Sequence, residues 1–331
     1  MSNYTYSIII PHLNQPDLLI ELLCSIPKRV DIQVIVCDDG SAEVHADKLQ
    51  HIKNDFAVQW VDKPPELNSC VGLARNRGID FAEGTYILFA DSDDLLKGGV
   101  FRLLDEAIVE HAEAEIIYID TAYEHLDQEG KLTRSYNEKR SMLLHEASKA
   151  QNRALYDKMY AYLSRLDTPW AKLIQREKAG NRMYFPNRPI SDDVAQNMQL
   201  LDTQPKVAFL FTVGYVHREQ PHSLSKTYNE LFLTHRFDVS VAFNKWIRQK
   251  GWKEGYNVGG GYIFKAFKLK GFFFAWSFFK GCVLEGLPLT YPLHRYFLLT
   301  LFSILTNRTK AERHFYLCTG DWPLAAKLED Q

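Results

Sequence analysis

The chain has 331 residues, 46% of them hydrophobic, and a formal net charge of −2 at neutral pH. A chain of this length and composition can bury a large core, and we expect one catalytic domain followed by a substantial extension. The five cysteines are odd in number and form no CxxC pair, which argues against a disulfide or metal framework and for reduced thiols in the cytosol. The N-terminus enters a strand pattern almost at once, so we expect no signal peptide.

Short apolar runs rich in β-forming residues alternate with helical patterns along the first hundred residues. In chain order, the predicted elements are a strand at Tyr6–Pro11, a helix from Pro16, strands at Ile32–Val36 and Val58–Val61, a helix at Ser69–Ala82 and a strand after Gly84. Because the strands are almost continuously apolar, we expect both faces of the sheet to be covered. The pattern predicts an α/β fold with a mostly parallel central sheet flanked by helices.

Two of the predicted strands end in grouped acids, Asp38–Asp39 and Asp91–Asp94. In an open α/β sheet, ligands bind outside the carboxyl ends of the strands. Two carboxylates two residues apart can hold a hard divalent cation that bridges to substrate phosphates. The alternative is an acidic turn that caps the next helix, and we expect Asp94 to cap a helix that continues from Leu95.

The small net charge hides a division along the chain. Residues 1–243 carry 26 basic against 35 acidic side chains, whereas residues 244–314 carry 12 against 3. The basic region also holds aromatic-rich runs at Gly271–Phe279 and Tyr296–Leu305, each shorter than the roughly 20 apolar residues that span a bilayer. We expect either a peripheral helix in an anionic membrane interface or a helical subdomain whose aromatic face packs on the core. No recognised binding motif accompanies the charge, so we expect no nucleic acid partner.

Four motifs, taken in order, resemble the nucleotide-binding half of the family 2 glycosyltransferases, which have the Rossmann-like GT-A fold. The motifs are Ser7–Asn14, Val36–Ser41, Ala74–Gly78 and Asp91–Asp94. The resemblance is close over the first hundred residues and looser to about residue 225. It implies a GT-A domain over residues 1–228, with a nucleotide-sugar-binding half at 1–100 and an acceptor half at 101–228. A helical, basic and aromatic extension would follow over residues 229–331.

The resemblance also implies which residues bind the donor. Pro11, His12 and Asp39 would hold the base of a UDP-sugar, with Asp39 accepting a hydrogen bond from the uracil ring N–H. Arg75 would reach the base or the diphosphate, and its alternative is a surface salt bridge. Asp91 would bind the ribose hydroxyls.

A metal ion is implied beside the diphosphate. Asp93, together with Asp91, would hold Mg²⁺ or Mn²⁺, which neutralises the charge that develops on the leaving nucleotide. A long apolar strand at Val207–Val216 leads into a loop of the kind that closes over the donor, and Arg218 in that segment is a diphosphate candidate. His217 or His222 would be an extra metal ligand; the alternative for each is a structural or solvated histidine.

The acceptor base is implied in the same way. In the family, an aspartate at the start of a helix lies downstream of a Trp-x-Lys-Leu strand, and here Trp170–Leu173 is followed by Asp192 and Asp193. Asp193 would take the proton of the acceptor hydroxyl in a single in-line displacement with inversion, and Asp192 is its competitor. The alternative is that both acids form the first turn of a helix and complement its dipole.

The sequence therefore predicts a metal-dependent hexosyl- or N-acetylhexosaminyltransferase that acts on a glycan or lipid-linked glycan in bacterial polysaccharide or lipopolysaccharide synthesis. We expect a cytoplasmic protein with peripheral contact to the inner membrane. A sugar-phosphate nucleotidyltransferase is the first alternative, although no Gly-rich phosphate loop follows the first strand. A non-catalytic nucleotide-sugar-binding module is the second, and the intact acids Asp91, Asp93 and Asp193 argue against it.

Overall fold

The computed structural model describes residues 3–126, 132–150, 153–188, 190–219, 229–252 and 260–285. The strands are β1 (Tyr6–His12), β2 (Ile32–Asp38), β3 (Gln59–Asp62), β4 (Tyr86–Phe89), β5 (Leu95–Leu96), β6 (Ile116–Leu126), β7 (Leu132–Tyr136), β8 (Lys172–Gln175) and β9 (Val207–Arg218). The helices are α1 (Pro16–Ser25), α2 (Ala46–Asp55), α3 (Val71–Phe81), α4 (Val100–Glu110), α5 (Glu138–Ser148), α6 (Arg153–Leu163), α7 (Arg176–Ala179), α8 (Asp192–Asp202), α9 (Glu230–Lys250), α10 (Gly260–Lys270) and α11 (Phe272–Leu284).

The described strands form one sheet in the order β3-β2-β1-β4-β8-β6-β9-β5, with β7 paired to β6. Strands β3, β2, β1 and β4 run parallel to one another. Strand β8 is antiparallel to both of its neighbours, β4 and β6. Strand β9 is parallel to β6. The predicted α/β fold is confirmed, and the parallel arrangement describes its first half, because β8 and β5 make the second half mixed.

The first elements form for the reasons that the sequence indicates. Strand β1 is buried along its whole length, as a continuously apolar central strand should be. Helix α1 begins with Pro16, whose missing N–H would lack an intrahelical partner at that position in any case. Its apolar stripe, which includes Leu19 and Leu22, packs into the main core against the sheet.

The topology brings several segments to one edge of the sheet. His12 is the register partner of Asp38, and Ile9 is the partner of Phe89. Because β1, β2 and β4 are parallel, the residues that follow them meet at their common carboxyl end, where open α/β sheets bind ligands. Strand β8 is antiparallel to β4, so its first residue, Lys172, lies at the same edge.

The segment after the acidic run differs from the prediction. Leu95–Leu96 form the short strand β5, which pairs with the end of β9. Helix α4 begins only at Val100, and Gly99 at its N-cap has a φ of 83°, in the left-handed region that glycine adopts without strain. The expectation that Asp94 caps this helix is therefore wrong, because a strand pairing separates the two.

The described residues divide into two compact units. The first holds the described residues up to 219 together with residues 245–252, and the second holds residues 229–244 and 260–285. The second unit has a small apolar core of its own, in which Leu233 and Phe237 of α9 pack with Phe278 and Cys282 of α11. No helix in the described ranges is both long and apolar enough to cross a bilayer.

Two features of the sequence prediction lie outside the described residues. They are His222 and the aromatic run at residues 296–305.

Candidate active site

Arg75 joins the acids after β4 to the first turn of α8. Its Nη2 donates to Oδ1 of Asp91 at 2.6 Å, and its Nη1 lies 3.6 Å from Oδ2 of Asp192. The guanidinium also packs over Phe185, 5.1 Å from the ring centroid. Arg75 is only 4% exposed, so it is not a surface salt bridge. The predicted donor acids and the predicted base segment therefore belong to one buried cluster of charges.

The two acids that begin α8 have different surroundings. Asp192 is 3% exposed, and its Oδ2 lies 2.4 Å from the position that a Cβ on Gly72 would occupy. Burial raises the pKa of Asp192 to about 6, against the opposing charge of Arg75. Asp193 is more accessible, and burial raises its pKa too, while the N–H of Val194, which donates to Oδ1 at 2.8 Å, favours the ionised form. Asp192 is thus closed in by protein, and Asp193 is the more reachable carboxylate.

Asp94 ties the acidic loop to the end of β9. Its carboxylate accepts hydrogen bonds from the Tyr215 hydroxyl at 2.6 Å, from Nδ1 of His217 at 3.0 Å and from the backbone N–H of Arg218 at 2.8 Å. The same Tyr215 hydroxyl accepts from the N–H of Asp91 at 3.1 Å. Asp94 is fully buried and is a structural anchor for this loop.

Asp93 lies in the same loop, between Asp91 and Asp94. No described residue forms an ion pair with it. Burial, together with repulsion from Asp94 and Asp91, raises the pKa of Asp93 to about 7. A carboxylate crowded by other acids and lacking a cationic partner is the group that a bound cation would stabilise in its ionised form.

His217 belongs to an aromatic cluster beside the acids. The ring of His217 stacks on Trp170 with a centroid distance of 5.2 Å and meets the ring of Tyr123 edge-on at 5.7 Å. Trp170 also stacks on Tyr215 at 5.0 Å. The hydrogen bond and charge of Asp94 raise the pKa of His217, although burial opposes them. With Nδ1 bonded to a carboxylate, the Nε2 atom is held in a fixed orientation, which is the usual support for a metal-ligating histidine.

The guanidinium of Arg218 is engaged with protein groups. It pairs with Glu21 of α1 and donates to the backbone carbonyl of Asp93. Arg218 is 7% exposed. Its role as a diphosphate ligand stays a prediction, and the observed contacts instead connect α1, the acidic loop and the end of β9.

The ends of β1 and β2 form the remaining part of the site. Pro11 and His12 are buried, and neither ring nitrogen of His12 has a hydrogen-bond partner among the described residues. Burial lowers the pKa of His12 to about 4, so the ring is neutral and is not a solvated loop histidine. The N–H of Asp39 donates to the carbonyl of His12 at 2.8 Å, and Arg77 pairs with the Asp39 carboxylate at 3.1 Å. Burial raises the pKa of Asp39, against Arg77.

The residues present fit an Mg²⁺ or Mn²⁺ ion that is held jointly by protein and substrate. Asp91 and Asp93 offer carboxylate oxygens, and His217 is connected to them through Asp94. No cage of three or more histidine, cysteine or acidic side chains occurs in the described part of the chain. Mg²⁺ is commonly bound without such a cage, by one or two carboxylates together with substrate phosphates and water.

Several residues of this cluster were not predicted from the sequence. Tyr215 and Arg77 form the hydrogen bonds described above, and Lys172, which is fully buried, acts electrostatically on Asp193. Lys172 stands in the Trp-x-Lys-Leu motif, which was a signal that could have singled it out. Tyr215 lies in an apolar strand pattern, and nothing local distinguishes it from a core tyrosine.

Comparison with known proteins decides the family. The profile described as Glycosyl transferase family 2 matches residues 7–179, more than half of the chain. The chain belongs to glycosyltransferase family 2. This match covers β1 to β8 and so includes the acidic loop and Arg75.

Individual relatives agree with this assignment. The uncharacterized glycosyltransferase EpsJ of Bacillus subtilis is 26% identical over 247 residues, which are 72% of this chain and 69% of EpsJ. The minor teichoic acid biosynthesis protein GgaB of the same species is 34% identical over 125 residues, which are 35% of this chain. The chain spans only 13% of GgaB.

Solved structures share the fold. Residues 1–349 of S. aureus TarS, crystallised in complex with UDP-GlcNAc, match with a TM-score of 0.56 at 19% sequence identity. The match covers 80% of this chain and 73% of the TarS chain. At this identity the likeness shows the fold, and the GT-A architecture expected from the motifs is confirmed.

Proposed function

We propose that this glycosyltransferase transfers a sugar from a UDP-sugar to a hydroxyl group of a glycan acceptor, with inversion at the anomeric carbon. The observation that carries the proposal is the position of Arg75 between Asp91 and Asp192. Arg75 connects the predicted donor acids to the turn that holds Asp193. An acceptor hydroxyl bound here would meet both the base and the anomeric carbon of the donor. The TarS complex with UDP-GlcNAc supports UDP as the nucleotide.

The donor would bind along the common edge of β1, β2 and β4. Pro11, His12 and Asp39 would surround the uracil, with Asp39 accepting from the ring N–H. Both unpaired ring nitrogens of His12 are buried at this edge, and a base with complementary groups would satisfy one of them. Asp91 would bind the ribose.

Asp193 would act as the base. It would accept the proton of the acceptor hydroxyl while that oxygen attacks the anomeric carbon and the bond to the UDP oxygen breaks. Asp192 is the weaker candidate because its carboxylate is enclosed by Gly72 and Arg75. Asp192 would instead hold the first turn of α8 in place.

Asp93 and Asp91 would hold Mg²⁺ or Mn²⁺, with His217 as a further ligand. The ion would neutralise the negative charge that accumulates on the leaving diphosphate. Arg218 would contribute by positioning, since its contact with the Asp93 carbonyl holds the acidic loop against α1. His222 remains a second candidate ligand.

The acceptor is proposed to be a bacterial cell-surface polysaccharide or a lipid-linked precursor of one. The name of GgaB connects that relative to teichoic acid synthesis, which supports this class of acceptor. The transferred sugar is proposed to be a hexose or an N-acetylhexosamine.

Peripheral contact with an anionic membrane is proposed for α11. Its Ala275, Phe278 and Cys282 are buried, whereas Phe273 is 87% exposed and Leu284 is similarly open. An exposed aromatic face in a basic segment suits the interface of an anionic bilayer. We expect Phe273→Ser to reduce sedimentation with phosphatidylglycerol vesicles, whereas Val109→Ser, at an exposed apolar residue of the first unit, should not.

The central test is a UDP-release assay with a panel of UDP-sugars and Mn²⁺. Wild-type protein should release UDP from at least one donor, and Asp193→Asn should lower the rate by roughly 100-fold or more without loss of UDP binding. Asp93→Asn should remove the response to Mn²⁺. Asp17→Asn, at an exposed acid of α1, is the matched control and should have no effect.

Two outcomes would contradict the proposal. Pyrophosphate release from a nucleoside triphosphate and a sugar phosphate would identify a nucleotidyltransferase. Tight UDP-sugar binding with equal and negligible turnover in wild type and Asp193→Asn would identify a non-catalytic module.

A further inference from the structure

Lys172 is a buried basic residue that contacts α8, the helix that begins with the predicted base segment. It is the first residue of β8, at the sheet edge where the acids gather, and it has no exposed surface. Its ammonium group donates to Oδ1 of Asn197 at 2.7 Å. Asn197 lies on α8, one turn after Asp193, and its own amide faces the carbonyls of Leu163 and Ser164 at 3.4 Å. Lys172 therefore helps to fix the first turns of α8.

The charge of this lysine is not neutralised by a direct ion pair. No carboxylate in the described ranges lies within ion-pair distance of Lys172, although burying an ammonium group is costly unless acids compensate for it. The acids that act on it are Asp167 and Asp193, and Arg140 of α5 opposes them. Burial is the largest influence and lowers the pKa of Lys172 to about 7.

Asp193 experiences charges from several elements. They are Arg75 of α3, Asp91 of the loop after β4, Asp192 of its own helix, Asp167 of the loop before β8, and Lys172 of β8. Of the two cations, Arg75 already pairs with Asp91 and Asp192. Both cations favour the ionised form of Asp193, and Arg75 contributes more than Lys172, but Lys172 is the one that also acts on Asp167 and contacts α8 through Asn197.

We propose that Lys172 is a positioning residue for the base: its bond to Asn197 orients the start of α8, and its positive charge favours the ionised form of the Asp193 carboxylate. Desolvation and neighbouring acids favour the protonated form of a carboxylate, and a protonated base cannot accept a proton from the acceptor. This inference rests on the proposed function, because it assigns Lys172 a role in serving that base.

The test is a pH titration of aspartate side chains, labelled with ¹³C at the carboxyl carbon and followed by NMR. The resonance missing from Asp193→Asn identifies Asp193. We expect Lys172→Met and Lys172→Gln to raise the apparent pKa of Asp193 by about one unit, a tenfold change in proton affinity, whereas Lys172→Arg should stay within a few tenths. Gln keeps a polar partner for Asn197, so a purely structural role would be rescued by it.

Lys178→Met, at an exposed lysine of α7, is the control and should leave the titration unchanged. An unshifted Asp193 in both neutral variants, with the native fold verified by circular dichroism, would overturn the inference. The titration needs no substrate, so its outcome is independent of whether UDP is released. When the rate of UDP release is measured against pH, the acidic limb of the profile for Lys172→Gln should lie at higher pH than that of wild type, by the same amount as the shift in the pKa of Asp193.

Discussion

A single methyl group added at Gly72 should disturb the base segment more than it disturbs the fold. Gly72 is the second residue of α3, and a Cβ there would lie 2.4 Å from Oδ2 of Asp192 and 3.0 Å from Cβ of Phe185. Because ordinary contacts begin near 3.4 Å, Gly72→Ala must drive the Asp192 carboxylate back by about 1 Å. Asp193 follows directly on the same helical turn.

The energetic cost follows from the ion pair with Arg75. The distance from Arg75 to Asp192 is 3.6 Å, and a retreat of about 1 Å along this direction would weaken the attraction by about 1 kcal/mol at an effective dielectric constant of about 20. A loss of this size lowers the thermal midpoint by only roughly 1–2 °C in a protein of this size. Misplacing a reacting group by about 1 Å, in contrast, can cost roughly 100-fold in rate.

The assay compares kcat for UDP release with the thermal midpoint in the same preparation. We expect Gly72→Ala to lower kcat by roughly 10- to 100-fold, with UDP affinity little changed. Gly98→Ala is the matched control, because a Cβ at Gly98 would meet nothing within 4 Å. That variant should match wild type in both measurements.

A double-mutant cycle gives the stricter test. If the damage passes through Asp192, the loss of unfolding free energy caused by Gly72→Ala should fall by more than half in an Asp192→Ala background. Full additivity of the two changes, or a kcat within twofold of wild type in Gly72→Ala alone, would refute the reasoning.

Three further changes have distinct expected results. Tyr215→Phe removes the hydroxyl that donates to the buried carboxylate of Asp94, so we expect a loss of roughly 1–3 kcal/mol in urea unfolding and weaker Mn²⁺-dependent UDP binding by calorimetry. The pKa of His12 is lowered by burial to about 4 in the folded state, so between pH 6.5 and 4 the unfolded state binds the extra proton and wild type should lose up to about 3 kcal/mol relative to His12→Gln. Gly78→Ala would place a Cβ 2.3 Å from Cγ2 of Ile9, and overpacking at this contact should cost roughly 1–3 kcal/mol in urea unfolding.

Each of these has a result that would contradict it. Wild-type stability in Tyr215→Phe would show that Asp94 does not need that donor, and Tyr156→Phe, at an exposed tyrosine, is the comparison. Parallel acid-unfolding curves for wild type and His12→Gln would mean that folding does not lower the pKa of His12. A Gly78→Ala protein as stable as wild type would show that α3 can move away from the sheet.

The elements closest to the N-terminus were the most predictable. Strands β1, β2 and β4 and helix α1 follow from local periodicity, because apolar runs and a helix-starting proline act within a few residues. The acids at the strand ends could be assigned to one edge because parallel strands share that edge. The mixed second half was not predicted, because the direction of β8 is set by its pairing with β4 and β6.

The sequence by itself therefore determined the family, the α/β class and the candidate acids, all of which depend on residue types at short spacing. Only the tertiary structure decided what those residues contact. Asp94 meets Tyr215 across 121 positions of sequence, and Arg218 meets Glu21 across 197. A carboxylate that caps a helix and one that anchors a distant strand look the same in a local pattern, because the partner that distinguishes them arrives only when the chain folds.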